Sequence, residues 1–81
     1  MKKLRWLSLN DTNITDAGLA HLRGLSRLEE LVARDTQITD AGLEHLKGLT
    51  CLRALDLQGT KVSDDGLKSL RKALPDCVIV K

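Results

Sequence analysis

Aromatic residues are almost missing from this 81-residue sequence, which has one Trp, Trp6, and no Phe or Tyr. Aromatic side chains supply much of the binding energy at most protein interfaces. The scarcity therefore excludes a binding surface built from several aromatic anchors. The hydrophobic residues, 42% of the chain, are nearly all Leu, Ile, Val and Ala, so any core must be aliphatic.

Other scarcities narrow the class of protein. Two cysteines are too few for a disulfide framework. No apolar run approaches the roughly 18 residues of a membrane span. The net charge is only +2, and its 13 basic and 11 acidic residues are interspersed rather than clustered. That distribution is not the basic footprint of a nucleic-acid-binding protein. We therefore expect neither a nucleic-acid partner nor a membrane partner.

The N-terminus raises the question of a signal peptide. Residues 1–3 (MKK) resemble its basic first segment, but Arg5, Asn10 and Asp11 leave no apolar segment behind them. We therefore expect a cytoplasmic chain, or a fragment that lacks its leader.

One eight-residue stretch is present three times. It reads TNITDAGL at residues 12–19, TQITDAGL at 36–43 and TKVSDDGL at 60–67, with a spacing of 24 residues. A fixed period of about 20–50 residues is typical of stacked repeat architectures. The sequence therefore predicts one domain over residues 1–81, with repeats at 4–27, 28–51 and 52–76 and a capping strand at 77–81.

Each repeat predicts a strand followed by a short helix. Its first half has apolar residues at relative positions one, four and six, and the last two alternate with polar residues as in a half-buried strand. These residues are Leu4, Leu7, Leu9; Leu28, Leu31, Ala33; and Leu52, Leu55, Leu57. In the second half, leucines follow helical spacing. Thr15, Thr39 and Ser63 suit helix N-caps, and Gly24 and Gly48 suit helix ends.

A single repeat cannot bury its own leucines, so the repeats must stack to form a shared core. Parallel strands lie about 4.8 Å apart, whereas helices need about 8–10 Å. This difference predicts an α/β solenoid with the strands on the concave face and the helices on the convex face. Pro75 ends the last helix. The final strand then covers the last coil, with Val80 at the position of Leu7.

The repeated residues resemble the leucine-rich repeat family. The family pattern L-x-x-L-x-L-x-x-(N/C/T)-x-(I/L/V) is present at residues 4–14, 28–38 and 52–62. The Thr-Asp-x-Gly-Leu continuation is similar to the helix-bearing, cysteine-containing subclass found in ubiquitin-ligase substrate receptors and in many bacterial repeat proteins. The resemblance implies a buried polar ladder at Thr12, Thr36 and Thr60. We expect these hydroxyls to bond the backbone of the neighbouring turn.

The concave face is the predicted protein-binding surface. Stacking is expected to form one row from Trp6, Glu30, Ala54 and Ile79, a second from Ser8, Val32, Asp56 and Lys81, and a third from Asn10, Arg34 and Gln58. The candidate binding residues are Trp6, Ser8, Glu30, Val32, Arg34, Ala54, Asp56 and Gln58. Trp and Arg are frequent binding hot spots. The alternative is that Trp6 covers the N-terminal end or forms an oligomer contact.

Two other stacked sets are interpreted as structural. Arg5, Glu29 and Arg53 alternate in charge and predict a surface ion-pair ladder. An aspartate also follows each predicted N-cap, in the first helical turn, where the helix dipole favours an acid. These aspartates are Asp16, Asp40 and Asp64. Without a His, Lys or Tyr placed beside them, they predict no catalytic set.

The remaining reactive side chains predict neither a metal site nor a cofactor. His21 and His45 stack on successive helices, but a tetrahedral site needs four ligands. Cys77 is expected to be a buried small hydrophobic residue. A disulfide between Cys51 and Cys77 is the alternative, although their side chains should point in different directions.

The sequence therefore favours a non-enzymatic module that binds a protein through a curved sheet, without a cofactor. The alternative is a structural, self-associating scaffold, truncated or designed, with no evolved ligand. Its basis is the near-identity of the repeats and the absence of a predicted cap before Leu4. The uncapped N-terminal sheet edge could pair two chains or continue a longer array.

Overall fold

The computed structural model describes residues 4–10 and 12–81, so residues 1–3 and Asp11, which entered the signal-peptide question, lie outside the described residues. The strands are β1 (Trp6–Ser8), β2 (Glu30–Val32), β3 (Ala54–Asp56) and β4 (Val78–Val80). The helices are α1 (Asp16–Leu19), continued by a 3₁₀ helix (Ala20–Gly24), α2 (Asp40–Leu46) and α3 (Asp64–Ala73). Within the described residues, no helix combines the length and apolar character needed to cross a membrane.

The strands form one parallel sheet in the order β1-β2-β3-β4. Trp6 pairs with Glu30, Glu30 with Ala54 and Ala54 with Val78, so each step across the sheet advances the chain by 24 residues. The architecture is the predicted α/β solenoid, with the strands on the concave face and the helices on the convex face. The sequence period is thus the length of one coil.

Leucines fill the space between the sheet and the helices. The largest fully buried side chains are Leu19, Leu28, Leu31, Ile38, Leu43, Leu46, Leu49, Leu55, Leu57 and Leu70. Several apolar residues of the first repeat are only partly buried, among them Leu7, Leu9 and Ile14. The second repeat covers them on one side, whereas the core residues of the second repeat are enclosed from both sides.

The register predicted for the last strand is wrong by one residue. Ile79, not Val80, pairs with Leu55, and Val78 and Val80 pair with Ala54 and Asp56. Cys77 N–H does donate to Leu74 O (3.1 Å), as Leu52 N–H does to Leu49 O (3.0 Å). However, the strand begins directly after Cys77, whereas Arg53 intervenes between Leu52 and the first residue of β3. The shorter turn cancels the one extra residue between Leu70 and Leu74, so β4 keeps the 24-residue spacing. Its side chains therefore point to the faces opposite to those predicted.

The threonine ladder also bonds differently from the prediction. Thr36 is 2% exposed, and its hydroxyl donates to Ala33 O at 3.1 Å, within its own turn. The hydroxyls of Thr12 and Thr60 make the same contact three residues back, at 2.8 and 2.6 Å. Neighbouring turns are joined by the backbone instead, for example from Lys61 N–H to Ile38 O (3.0 Å). The hydroxyl thus closes each turn rather than linking two.

The aspartates that follow the N-caps link successive repeats. The Asp16 carboxylate accepts from Thr39 N–H (2.7 Å) and from the Thr39 hydroxyl (2.5 Å). Asp40 accepts the same two bonds from Ser63, at 2.7 and 2.5 Å. Each acid therefore lies in the first turn of its own helix, as predicted, and also holds the N-cap of the next helix. The sequence analysis did not foresee this second contact.

Candidate functional site: the concave face of the sheet

Two rows of side chains lie on the solvent side of the four strands. One row contains Trp6, Glu30, Ala54 and Val78, and the other contains Ser8, Val32, Asp56 and Val80. They face solvent because successive residues of a strand point to opposite faces. The alternating residues Leu31 and Leu55 are buried beneath them.

The corrected register places two additional valines on this face. Val78 is 66% exposed and Val80 43%, and together with Val32 and Ala54 they form what we call the apolar patch. Trp6, 55% exposed, lies at the other end of the first row. In the described part of the chain, the large hydrophobic side chains that are exposed are Trp6, Val78 and Val80. Their gathering on one face singles it out from the rest of the surface.

Charged groups lie beside the apolar patch. Arg34 Nε is 3.8 Å from Asp56 Oδ2, and Asp56 also accepts from Gln58 N–H (3.1 Å) and from the Gln58 amide (3.4 Å). The charge of Asp56 is therefore balanced within the protein. Glu30 is exposed and, among the described residues, has no cation within ion-pair distance.

The loops that follow the strands are held by hydrogen bonds between repeats. Asn10 Oδ1 accepts from Arg34 N–H at 3.0 Å, and Asp35 N–H donates to Gln58 O at 2.8 Å. Asp35 and Gly59 occupy equivalent positions with φ of 57° and 77°. This left-handed conformation is costly for most residues but open to Gly and tolerated by Asp. The backbone on which Arg34 and Gln58 project is therefore fixed before any partner binds.

The predicted binding residues fall into two groups. Trp6, Ser8, Glu30, Val32, Ala54 and Asp56 lie within the strands, and Arg34 and Gln58 follow β2 and β3. Sequence reasoning missed Val78 and Val80, because it placed Ile79 and Lys81 on this face. Ile79 is instead partly buried against the core, and Lys81 Nζ lies 3.3 Å from Asp64 Oδ1 beside α3. The 24-residue period was the available signal, because continuing it places Val78 at the position of Ala54 and Val80 at that of Asp56. The prediction instead counted the extra residue before Leu74 as a shift of the last strand.

The predicted ion-pair ladder is confirmed at the amino-terminal ends of β1, β2 and β3. Glu29 lies between two arginines, 3.3 Å from Arg5 Nε and 3.9 Å from an Arg53 guanidinium nitrogen. Both arginine side chains are more than 70% exposed. Water and salt screen such pairs, so they contribute little to stability.

The histidines and cysteines form no common site in the part of the chain that the structure describes. Within residues 4–10 and 12–81, no group of three or more His, Cys, Asp or Glu side chains is placed to hold a metal ion. Cys51 is exposed, Cys77 is partly buried, and both are free thiols. Burial raises the pKa of the Cys77 thiol.

Comparison with known proteins extends these observations. The family described as "Leucine rich repeat" matches residues 2–62. The fold is similar to the crystal structure of an internalin from Listeria monocytogenes, with a TM-score of 0.79 and 27% sequence identity. That match covers 99% of this chain and 22% of the internalin chain. No curated protein sequence matches the chain.

Proposed function

Because the chain belongs to the leucine-rich repeat family, whose domains are generally non-catalytic protein–protein interaction modules, we propose that its concave face binds a protein partner. The observation that carries this proposal is the clustering of Trp6, Val78 and Val80, exposed on one face of the sheet. Arg34 and Asp56 stand beside them and supply polar contacts.

The face is suited to binding because it is already ordered. A sheet held by a buried core loses little conformational freedom when a partner covers it, so less of the interaction energy is spent on ordering. Burying exposed valines contributes about 25 cal/mol for each Å² of apolar surface removed from water. Trp6 and Arg34 belong to the residue types most often found at energetic centres of interfaces.

The test uses the full chain as bait for a phage-displayed library of random peptides. Selected peptides are synthesised, and their affinity for the parent chain and for variants is measured by fluorescence anisotropy. We expect Trp6→Ala, Arg34→Ala and Val80→Asp each to weaken binding about tenfold or more, since a lost hot spot costs about 2 kcal/mol or more. The control is Lys68→Asp, an exposed change on α3.

Thermal unfolding of each variant separates binding from folding. These concave-face side chains are largely solvent-exposed, so the melting temperature should remain close to that of the parent. Peptides that bind the parent and all the concave-face variants equally would reject the proposal. A loss of fold from both Trp6→Ala and Arg34→Ala would show that the two residues are structural.

Self-association is a second candidate function, and one observation favours it. Leu7 in β1 and Leu9, which follows β1, are partly exposed, whereas the equivalent Leu31, Leu55 and Leu57 are buried. A partly exposed leucine edge beside an outer strand is a template for pairing two copies. Light scattering coupled to size-exclusion chromatography tests this over a range of concentrations. A constant mass of one chain rejects it, and a rise toward two chains that Leu7→Lys abolishes supports it.

A further inference from the structure

We propose that the partner segment on the concave face carries a basic side chain that binds Glu30 and an aliphatic side chain that covers the apolar patch. This inference rests on the proposed function and specifies the chemistry of the partner. It follows from the charges of the face, from the neighbours of Glu30, and from the distance between Glu30 and the patch.

The charges of the face determine the sign of the partner. Arg34 and Asp56 neutralise each other at 3.8 Å. Lys81, which the sequence analysis placed on this face, pairs with Asp64 at 3.3 Å instead. Among the described residues of the two rows, Glu30 is therefore the charged side chain that has no ion-pair partner, and it is exposed. A partner that brings a cation would gain an ion pair here, and one that brings an acid would be repelled.

The residues beside Glu30 favour a basic side chain over a bare cation. Trp6 and Ala54 flank Glu30 across β1 and β3. Adjacent strands lie about 4.8 Å apart, so a lysine or arginine of the partner that binds Glu30 can also reach the indole ring of Trp6. Such a cation–π contact strengthens binding by about two- to fivefold at an exposed site. The methylene stem of the same side chain can lie along Ala54.

The distance from Glu30 to Val78, at the far end of the patch, determines the spacing in the partner. Val78 lies two strands away from Glu30, which corresponds to about 10 Å across the sheet. In an extended segment, side chains two residues apart point the same way at about 7 Å, and a long basic side chain spans the remainder. The fitting sequence is therefore basic–x–aliphatic, in a segment that crosses the strands.

The experiment starts from the peptides selected on the full chain. We expect them to be enriched in Lys or Arg two residues from a Leu, Ile or Val. One such peptide and its Lys→Glu counterpart are then measured by anisotropy on the parent chain, on Glu30→Lys and on Asp65→Lys. Asp65 is the matched control, because it is also an exposed acid but lies in α3 on the convex side.

The expected result is a charge swap. The basic peptide should bind Glu30→Lys at least tenfold more weakly than the parent and Asp65→Lys as well as the parent. The Lys→Glu peptide should recover affinity on Glu30→Lys. Peptides that require Val80 but ignore the charge at residue 30 would overturn this inference and leave the proposed function standing. Peptides that depend on neither Val80 nor the charge at residue 30 would overturn both this inference and the proposed function. If the chain forms a dimer that no longer binds the peptides, the occupant of the face is a second copy of the chain and the inference is also overturned.

Discussion

At the scale of single residues, two threonines at equivalent positions make different contacts. The Thr39 hydroxyl donates to Asp16 Oδ2 at 2.5 Å and accepts from Ala41 N–H at 3.3 Å. Thr15, at the N-cap position of α1, has almost the same backbone conformation as Thr39, but its side chain accepts no capping hydrogen bond. The same residue type in the same sequence context therefore differs in its energetic role, because only Thr39 follows a repeat that supplies an aspartate.

Thr39→Val should lower the free energy of unfolding by about 1–2 kcal/mol, the usual range for losing an N-cap and a hydrogen bond to a charged group. Thr15→Val should lower it by at most about 0.5 kcal/mol, as for a surface change without a special contact. Urea titration followed by circular dichroism measures both. Equal losses would show that the Asp16 contact adds nothing to stability.

Gly42 illustrates a constraint that helix propensity does not predict. A Cβ at this buried position would clash with Asp16 Oδ1 and lie 2.9 Å from Leu19 Cδ1. A Cβ at Gly48 would meet no atom within 4 Å. The glycine at position 42 thus provides the space that the aspartate of the preceding repeat occupies.

Gly42→Ala is expected to destabilise the protein by about 1–3 kcal/mol, the cost of overpacking, despite the better helix propensity of alanine. Gly48→Ala is the matched control and should change stability by less than about 0.5 kcal/mol. Thermal unfolding distinguishes them. A stabilised Gly42→Ala variant would mean that Asp16 moves aside at no cost.

At the scale of elements, α2 and α3 are joined through Asp40. Hydrogen bonds from the Ser63 hydroxyl, and then from Ser63 N–H, hold the pKa of the Asp40 carboxyl below its ordinary value of 3.8. A carboxyl with a lower pKa in the folded state stabilises the fold above its unfolded pKa. That contribution is lost as the pH falls through the folded pKa.

The link predicts an acid-sensitive part of the stability. The free energy of unfolding of the parent should exceed that of Asp40→Asn at neutral pH, and the difference should shrink as the pH falls below about 3.8. Urea titrations between about pH 7 and pH 2 measure this, with Asp65→Asn as the control. A difference that stays constant over this range would show that the ionised form of Asp40 is not what stabilises the junction.

The register of β4 can be tested by placing a charge on each of its two faces. Ile79 packs against the core, whereas Val78 and Val80 are exposed. Ile79→Asp should destabilise the protein by about 3 kcal/mol or more, because it removes apolar packing and desolvates a charge. Val78→Asp should cost less than about 1 kcal/mol. The opposite order would restore the register expected from the sequence, with Val80 facing inward.

At the scale of the whole molecule, burial is uneven along the stack. The residues of the middle repeat are enclosed by coils on both sides, so Leu31 and Leu43 are each 1% exposed. Leu7 and Leu9 of the first repeat are only partly buried. Regions with fewer buried apolar contacts open with a smaller free-energy cost than the core.

Amide hydrogen exchange should therefore be graded along the stack. We expect the amides of the middle repeat to exchange about a hundredfold more slowly than that of Leu9, a difference of about 2.7 kcal/mol in opening free energy. Nuclear magnetic resonance of the full chain measures each amide separately. Uniform protection from β1 to β3 would show that the stack opens as one unit.

The sequence by itself determined the repeat, the order of strand and helix, the parallel sheet and the leucines of the core. These features follow from local patterns repeated along the chain: the strand alternation, the helical spacing of leucines, and a hydroxyl residue at each helix start, of which Thr39 and Ser63 cap their helices. It also brought six of the eight candidate residues to the strands of one face, because a 24-residue period fixes the register of the first three strands.

Only the tertiary structure decided which side chains complete that face and which groups bond between coils. The sequence has one extra residue between Leu70 and Leu74, and the structure shows that the turn after it is one residue shorter, which keeps the 24-residue spacing and places Val78 and Val80, not Ile79, at the surface. The partners of Asp16 and Asp40 lie 23 residues further along the chain. A local pattern contains no information on such a contact, because the coils must first stack before the groups meet.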